Sequence, residues 1–387
     1  MARVTGYAES LGRATTTSST FGDAVALTHT PNDNKTVAYL WSCVGDIAST
    51  TVDVQVRFNR DTDAVVDAAY NAESQEAATP LDAFPMGGIV IVAYGASPGS
   101  KTVSIEFATE SVTAAGVQYA RIVALELGAN DAYAAGTSVD DTNATTTPAD
   151  VTSSTASTTP STTGDYLIIG SVEMKHSAAT TAWISEMVID GVTKIGTAHA
   201  PQDVSNYHAN FYMEKVSLAS GGARTAKWQF YISTTGTSSA RRGRTLMLRV
   251  DDFANSYYAE DRVLSSGTEA TYQTEQSYNP TIAQAVEHIV LGYWDKLAGS
   301  TSVSSYSKFD DGSVLSENVG EGNIVNQAYP ALVAYRGTLA SGAGVTWTIQ
   351  RRSETAGTST YIRQSTIAIL QTADNASLDI LFAQSIM

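Results

Sequence analysis

Apolar and polar residues alternate with a period of two in short runs along the chain. In SGGARTAKWQF, from Ser220 to Phe230, a Gly-rich corner leads into Ala226, Trp228 and Phe230 on one face, with Lys227 and Gln229 on the other. Successive side chains of an extended strand face opposite ways, and glycine supplies turn dihedrals, so this stretch predicts a hairpin turn feeding a half-buried strand. SPGSKTVSIEF from Ser97 and SGAGVTWTIQR from Ser341 have the same form, which aligns Ile105, Trp228 and Ile349 at offsets of 123 and 121.

Flanking landmarks keep the same order. Upstream lie the apolar runs TVAYLWSCVG from Thr36, DYLIIGSVEM from Asp165 and EHIVLGYWDK from Glu287. Downstream come QYARIVALELG, RRGRTLMLRVDD and YIRQSTIAILQTADN, and Tyr7, Tyr133 and Tyr258 mark equivalent starts. A period of about 125 residues is the size of a whole domain. The sequence therefore predicts an internal repeat of three tandem domains: 1–131, 132–254, and 255–387 with an apolar C-terminal strand. Short linkers predict that the domains touch in a semi-rigid rod or arc.

β-Branched and aromatic residues in short runs, separated by Gly, Asn, Asp, Ser and Thr, predict an all-β chain of antiparallel sheets, one face inward and the other wet. Seven or eight runs per repeat suit a β-sandwich, jelly-roll or immunoglobulin-like, and the sequence leaves that choice open. DAVVDAAYNAESQEAATP predicts a short helical insertion near 63–79 in the first repeat, ended by Pro80. The Ser/Thr-rich tract from Thr142 to Asp165 suits either a stalk or a polar edge strand, and equivalent Thr-rich stretches in the other repeats favour the strand. NASLDILFAQSIM at the C-terminus is expected to dock on its own third domain rather than on a neighbouring chain.

Charge and chemistry exclude more than they propose. The net charge is −16, with 7 basic against 15 acidic residues in 1–131, 9 against 11 in 132–254 and 7 against 13 in 255–387, so no basic stripe tracks a nucleic acid. Arg241, Arg242 and Arg244 are expected in a solvated loop or against an acidic protein. MARVTGYAESLG lacks an apolar stretch of signal-peptide length and no run is long enough to cross a bilayer, which predicts a soluble product made in the cytoplasm without a membrane partner. The single Cys43 is expected to be buried and inert.

No residue is assigned as catalytic, cofactor-binding or metal-ligating, and no cofactor is expected. His29, His176, His199, His208 and His288 lack zinc-ligand spacing; His199 and His208 could share a loop with Asp203, but lone surface histidines are preferred. Asp140 with Asp141, and Asp310 with Asp311, are adjacent in sequence and would point apart in a strand. Asn59, Asp61 and Asp63, with Asp67 beyond, resemble the start of a calcium loop, but Ala64 and Tyr70 replace its Gly and Glu, and a solvated turn is preferred.

In architecture and composition along its whole length, the chain resembles the head-decoration, or cement, proteins of tailed bacteriophages and the stem domains of their fibres. No diagnostic motif carries the resemblance, so no binding residue is transferred. It implies a non-enzymatic virion structural protein assembled in the host cytoplasm, a homo-oligomer with the trimer favoured, whose partner is the major capsid protein or another virion protein. The alternative is a receptor-binding or carbohydrate-binding fibre or adhesin, which would present Trp183, Tyr207, Tyr212 and Tyr306 as sugar platforms.

Overall fold

A computed structural model of the chain describes residues 3–72, 82–179, 181–200, 204, 206–320 and 327–372. Among them are strands and two single turns of 3-10 helix, with no α-helix. The first stretch holds β1 (Val4–Ser10), β2 (Ala14–Thr16), β3 (Gly22–His29), β4 (Thr36–Ile47), β5 (Val54–Arg60), β6 (Val65–Ala72), β7 (Ala83–Ala93), β8 (Lys101–Thr109) and β9 (Ala115–Glu126). Next come β10 (Ala132–Ala134), β11 (Asp141–Asn143), β12 (Ala149–Asp150), β13 (Ala156–Thr158), β14 (Gly164–His176), β15 (Trp183–Ile189), β16 (Val192–His199), β17 (His208–Leu218), β18 (Arg224–Ile232) and β19 (Ser238–Arg249). The last are β20 (Ser256–Asp261), β21 (Ser265–Gly267), β22 (Gln273–Tyr278), β23 (Thr281–Ile282), β24 (Glu287–Ala298), β25 (Ser305–Asp310), β26 (Val314–Gly320), β27 (Gln327–Thr338), β28 (Gly342–Ala343), β29 (Trp347–Ser353) and β30 (Thr360–Gln371).

One pairing order recurs in the three stretches, here termed units. One sheet runs β1-β9-β4-β7, then β10-β19-β14-β17, then β20-β30-β24-β27. The facing sheet runs β3-β8-β5-β6, then β12-β18-β15-β16, then β22-β29-β25-β26. Apart from the hairpins β5-β6, β15-β16 and β25-β26, neighbours in each sheet are distant in sequence because the chain crosses repeatedly between sheets, and this is jelly-roll topology. Ile105, Trp228 and Ile349 lie buried between the sheets of their units.

The helical expectation at 63–79 fails where it can be tested. Val65–Ala72 is strand β6, paired with β5, and only Asp61–Asp63 makes a helical turn. Ala68, Tyr70 and Ala72 are buried at a period of two, and burying Tyr70 against Trp41 outweighs the helix preference of alanine. Residues 73–79 and the C-terminal run 373–387 lie outside the described residues. The Thr142–Asp165 tract forms the short strands β11, β12 and β13.

The expectation of one wet face and a rod-like array is also corrected. Every residue from Val37 to Ile47 is buried. Val37, Tyr39, Trp41 and Cys43 face their own sandwich, while Ala38 and Leu40 face a second core that also takes Leu167 and Ile169 of β14 and Ile289 and Leu291 of β24. Three sheets thus pack their outer faces together, and β7, β17 and β27 touch pairwise at the centre. Unbroken apolar runs are the signature of strands buried on both faces.

Close approach at this centre needs glycine at one position. Gly88 has φ +150°, a Cβ there would lie 2.9 Å from Ser171 Oγ, and the Ile89 amide donates to that oxygen at 3.1 Å. Gly88→Ala is expected to cost on the order of 2 kcal/mol, measured by denaturant unfolding.

Candidate functional site

The outermost strand of each second sheet leaves backbone groups unpaired within its own unit, and such edges need a cover. The cover comes from arginines on the last strand of the next unit. Arg242 Nη2 donates to the Val66 carbonyl of β6 at 3.3 Å, and Arg244 Nη2 donates to that of Asp67. Arg363 Nη1 donates to the Gly196 carbonyl of β16 at 2.7 Å, and Arg121 Nη1 to the Leu315 carbonyl of β26 at 2.5 Å. Unit 1 is thereby held by unit 2, unit 2 by unit 3, and unit 3 by unit 1.

A carboxylate of the arginine's own unit orients three of these guanidinium groups. Glu173, fully buried, accepts from Arg242 Nη1 at 2.9 Å and from Arg241 Nε at 2.6 Å, and it also receives the Ala69 amide of β6. Buried Asp295 accepts from Arg363 Nε at 2.8 Å; burial raises its carboxyl pKa and the Arg363 charge opposes that shift. Glu9 accepts from Arg121 Nε at 3.3 Å. Burial pulls Arg244 below the usual arginine range. A β-bulge sets up the Arg242 contact, where Arg242 takes φ +47° opposite the break in pairing between Ser171 and Glu173.

The end of each edge strand also meets the start of the next unit's central strand. Asn71 N–H donates to Tyr207 O at 3.1 Å, His199 Nδ1–H to Ala328 O at 3.2 Å, and Val319 pairs with Ala83. Here Tyr70, Met86, His199, His208 and Tyr329 help to line a cavity of about 30 Å³. The His199 ring stacks on Trp183 and lies 4.6 Å from His208 and 5.6 Å from Tyr329. Burial lowers the His199 pKa to about 4, against the hydrogen bond to Ala328. Burial and the charge of His199 hold His208 well below the usual histidine range, and its Nε2 is buried without a hydrogen-bond partner among the described residues. Lys296 donates to Ser305 O at 2.7 Å and lies 4.9 Å from the Tyr329 ring, and burial pushes its amine down to about 7.

The surface expectation for the histidines is therefore wrong. His29, His176, His199 and His288 are buried and His208 is half-buried. Each lies in a strand or at its end, where the imidazole reaches a backbone carbonyl or a Tyr hydroxyl or packs on a ring. Asp203 lies outside the described residues. The solvated-loop expectation for Arg241, Arg242 and Arg244 is corrected too: all three are in β19, and the acidic partner is Glu173 of the same chain.

Other candidates find internal partners. Asp140 accepts from Tyr207 at 2.5 Å and Asp141 from Thr152, so the adjacent pair is divided. Asp310 receives Lys308, and Asp311 caps its own turn. In the Asn59 loop, Arg60 takes Asp63 and Asp67, and Lys101 also reaches Asp63. Carboxylate oxygens of Asp23, Asp61 and Glu106 lie within 4.8 Å of one another, with Ser104 and Asn59 donating to Asp61 and with Arg57 and Asn59 donating to Glu106. Melting curves in EDTA and in millimolar calcium are expected to coincide; a calcium-dependent rise would reinstate this loop. Cys43 is buried in the first sandwich and burial raises its thiol pKa. Trp183, Tyr207, Tyr212 and Tyr306 are all buried, so none is a sugar platform.

No protein-family model and no curated protein matches the chain. Among solved structures, the infectious bursal disease virus VP2 subviral particle matches 98% of this chain and 82% of its own, at 9% identity and a TM-score of 0.24. An archaeal virus structure described as a triple jelly roll fold and turret assembly matches 90% and 83%, at 8% identity and a TM-score of 0.20. The insecticidal delta-endotoxin Cry8Ea1 of Bacillus thuringiensis matches 64% of this chain and 53% of its own, at 9% identity and a TM-score of 0.21. The chain thus spans about half of that toxin, and likenesses this low carry no functional argument.

Proposed function

We propose that the chain is a non-enzymatic structural protein of a phage virion, a capsid decoration protein that binds and stabilises the head shell, and that it joins the particle in the host cytoplasm. The division into domains at 131/132 and 254/255 is part of this reading. One observation carries it: arginines on the last strands, oriented by carboxylates of their own units, hold three sandwiches to one another, which builds a rigid body. Net charge −16 limits association with nucleic acid and other acidic surfaces. No helix among the described residues is long and apolar enough to cross a membrane.

The test uses shells assembled from the major capsid protein encoded in the same genome. Purified full-length protein is expected to co-sediment with them and to raise the temperature at which they disrupt. Absence of binding, together with a hit on a glycan array, would replace this reading with the adhesin.

A further inference from the structure

The contact between units is of one kind, edge strand to last strand, and it closes after three steps. A head-to-tail contact that closes leaves no copy of itself open to recruit another chain. The shared apolar core is likewise filled by residues of all three units, such as Leu125, Leu248 and Leu370. One chain thus already has the cyclic arrangement that a trimer of single sandwiches would reach by association.

Its exposed apolar side chains follow the same order. The first edge strand of each unit is broken in two, and its second half, β2, β11 or β21, pairs with the opening residues of β9, β19 or β30. The breaks hold Leu11, Val139, and Val263 with Leu264, which are 45%, 71%, 74% and 55% exposed. Four of the nine large apolar side chains exposed among the described residues therefore sit in three short equivalent breaks. Isolated exposed aliphatics are ordinary, but recurrence within the equivalent break of every unit is not a scattered pattern. Charged neighbours are paired internally, Arg13 with Asp46, Lys175 with Asp140, and Arg262 with Glu260, which leaves the aliphatics as the free feature of each break.

We infer that a single chain occupies a local three-fold position of a protein shell, touching it through Leu11, Val139 and the Val263–Leu264 pair, one contact per unit. The inference rests on the virion reading and replaces the homotrimer with one chain. A self-associating occupant is disfavoured by the net charge of −16, whereas three similarly placed apolar contacts suit a partner with three repeated apolar sites.

Light scattering after size exclusion should give one chain of 40.8 kDa at high concentration. Quantified binding to shells of the major capsid protein from the same genome should saturate at one copy per three-fold position. Leu11→Asp, Val139→Asp and Val263→Asp should each weaken binding about tenfold or more, and the combined variant should lose it, with melting temperatures unchanged because these side chains are exposed. A trimer in solution, three copies per position, or undiminished binding of the combined variant overturns the inference and leaves the virion reading standing. Failure of the wild-type protein to bind the shells removes both.

Discussion

Glu173→Ala is expected to lower the unfolding free energy by about 3–5 kcal/mol, the range for removing one partner of a buried ion pair. Glu173 is fully buried and accepts from Arg241, Arg242 and the Ala69 amide of the neighbouring unit. Truncation leaves two cations and one amide without their acceptor. The loss is therefore one of desolvated, unpaired donors more than of one contact. Amide exchange should locate it: Val66–Ala72 and the start of β17 should open first, while β24 and β30 stay protected. Urea unfolding within about 1 kcal/mol of wild type, or uniform loss of protection in all three units, would sink the idea that Glu173 anchors the contact between units 1 and 2. Glu173→Gln keeps an acceptor for the amide and should cost less than the alanine.

Local structure was legible in the sequence, and higher order only in part. Period-two alternation after small-residue corners placed Ile105, Trp228 and Ile349 in the interior, because a strand with one polar face exposes its period directly. The runs around Leu40, Ile169 and Leu291 carried a second message, burial on both faces, which periodicity alone does not separate from a simple buried strand. Propensity misled at Ala68–Ala72, where pairing with β5 and a buried Tyr70 decide the conformation.

The junction was visible only as lone charges inside apolar runs, Glu173 in DYLIIGSVEM, Asp295 in EHIVLGYWDK and Arg121 in QYARIVALELG. A charge there is tolerable when it has an ion-pair partner, and each partner is a residue of the same unit, partly buried for Glu173 and Asp295 and exposed for Arg121. The acceptors across the junction are backbone carbonyls at Val66, Gly196 and Leu315. A main-chain carbonyl has no residue identity, so no side-chain motif could announce these contacts.

Acidification is expected to loosen the contact between units 2 and 3 before the sandwiches themselves. The folded protein holds His199 near a pKa of about 4, whereas an unfolded histidine titrates near 6.5. Between those values the unfolded chain binds the extra proton, so stability is complete above about pH 6.5 and falls as the pH drops. His199 alone accounts for a loss of about 2 kcal/mol by pH 5 and about 3 kcal/mol below pH 4. His208, depressed further and 4.6 Å away, adds to the loss in the same direction, as do His29 and His288, which burial lowers. Lys296, held near 7 in the folded protein, adds to the fall only above about pH 6 and contributes no slope below it, where it is protonated in both states. Asp295 and Asp131, raised by burial, work the other way and gain stability as they protonate. Urea midpoints measured from pH 7.5 to 4.5 should therefore fall, and amide exchange should report the opening at β16 and the start of β27. His199→Gln, which cannot ionise, should flatten that dependence by roughly the His199 share; an unchanged slope in this variant would place the acid sensitivity elsewhere. The sign follows from position: His199 is wedged between Trp183 and Tyr329 with its Nδ1 proton on the Ala328 carbonyl, so a second proton would charge a ring that has no carboxylate among these contacts.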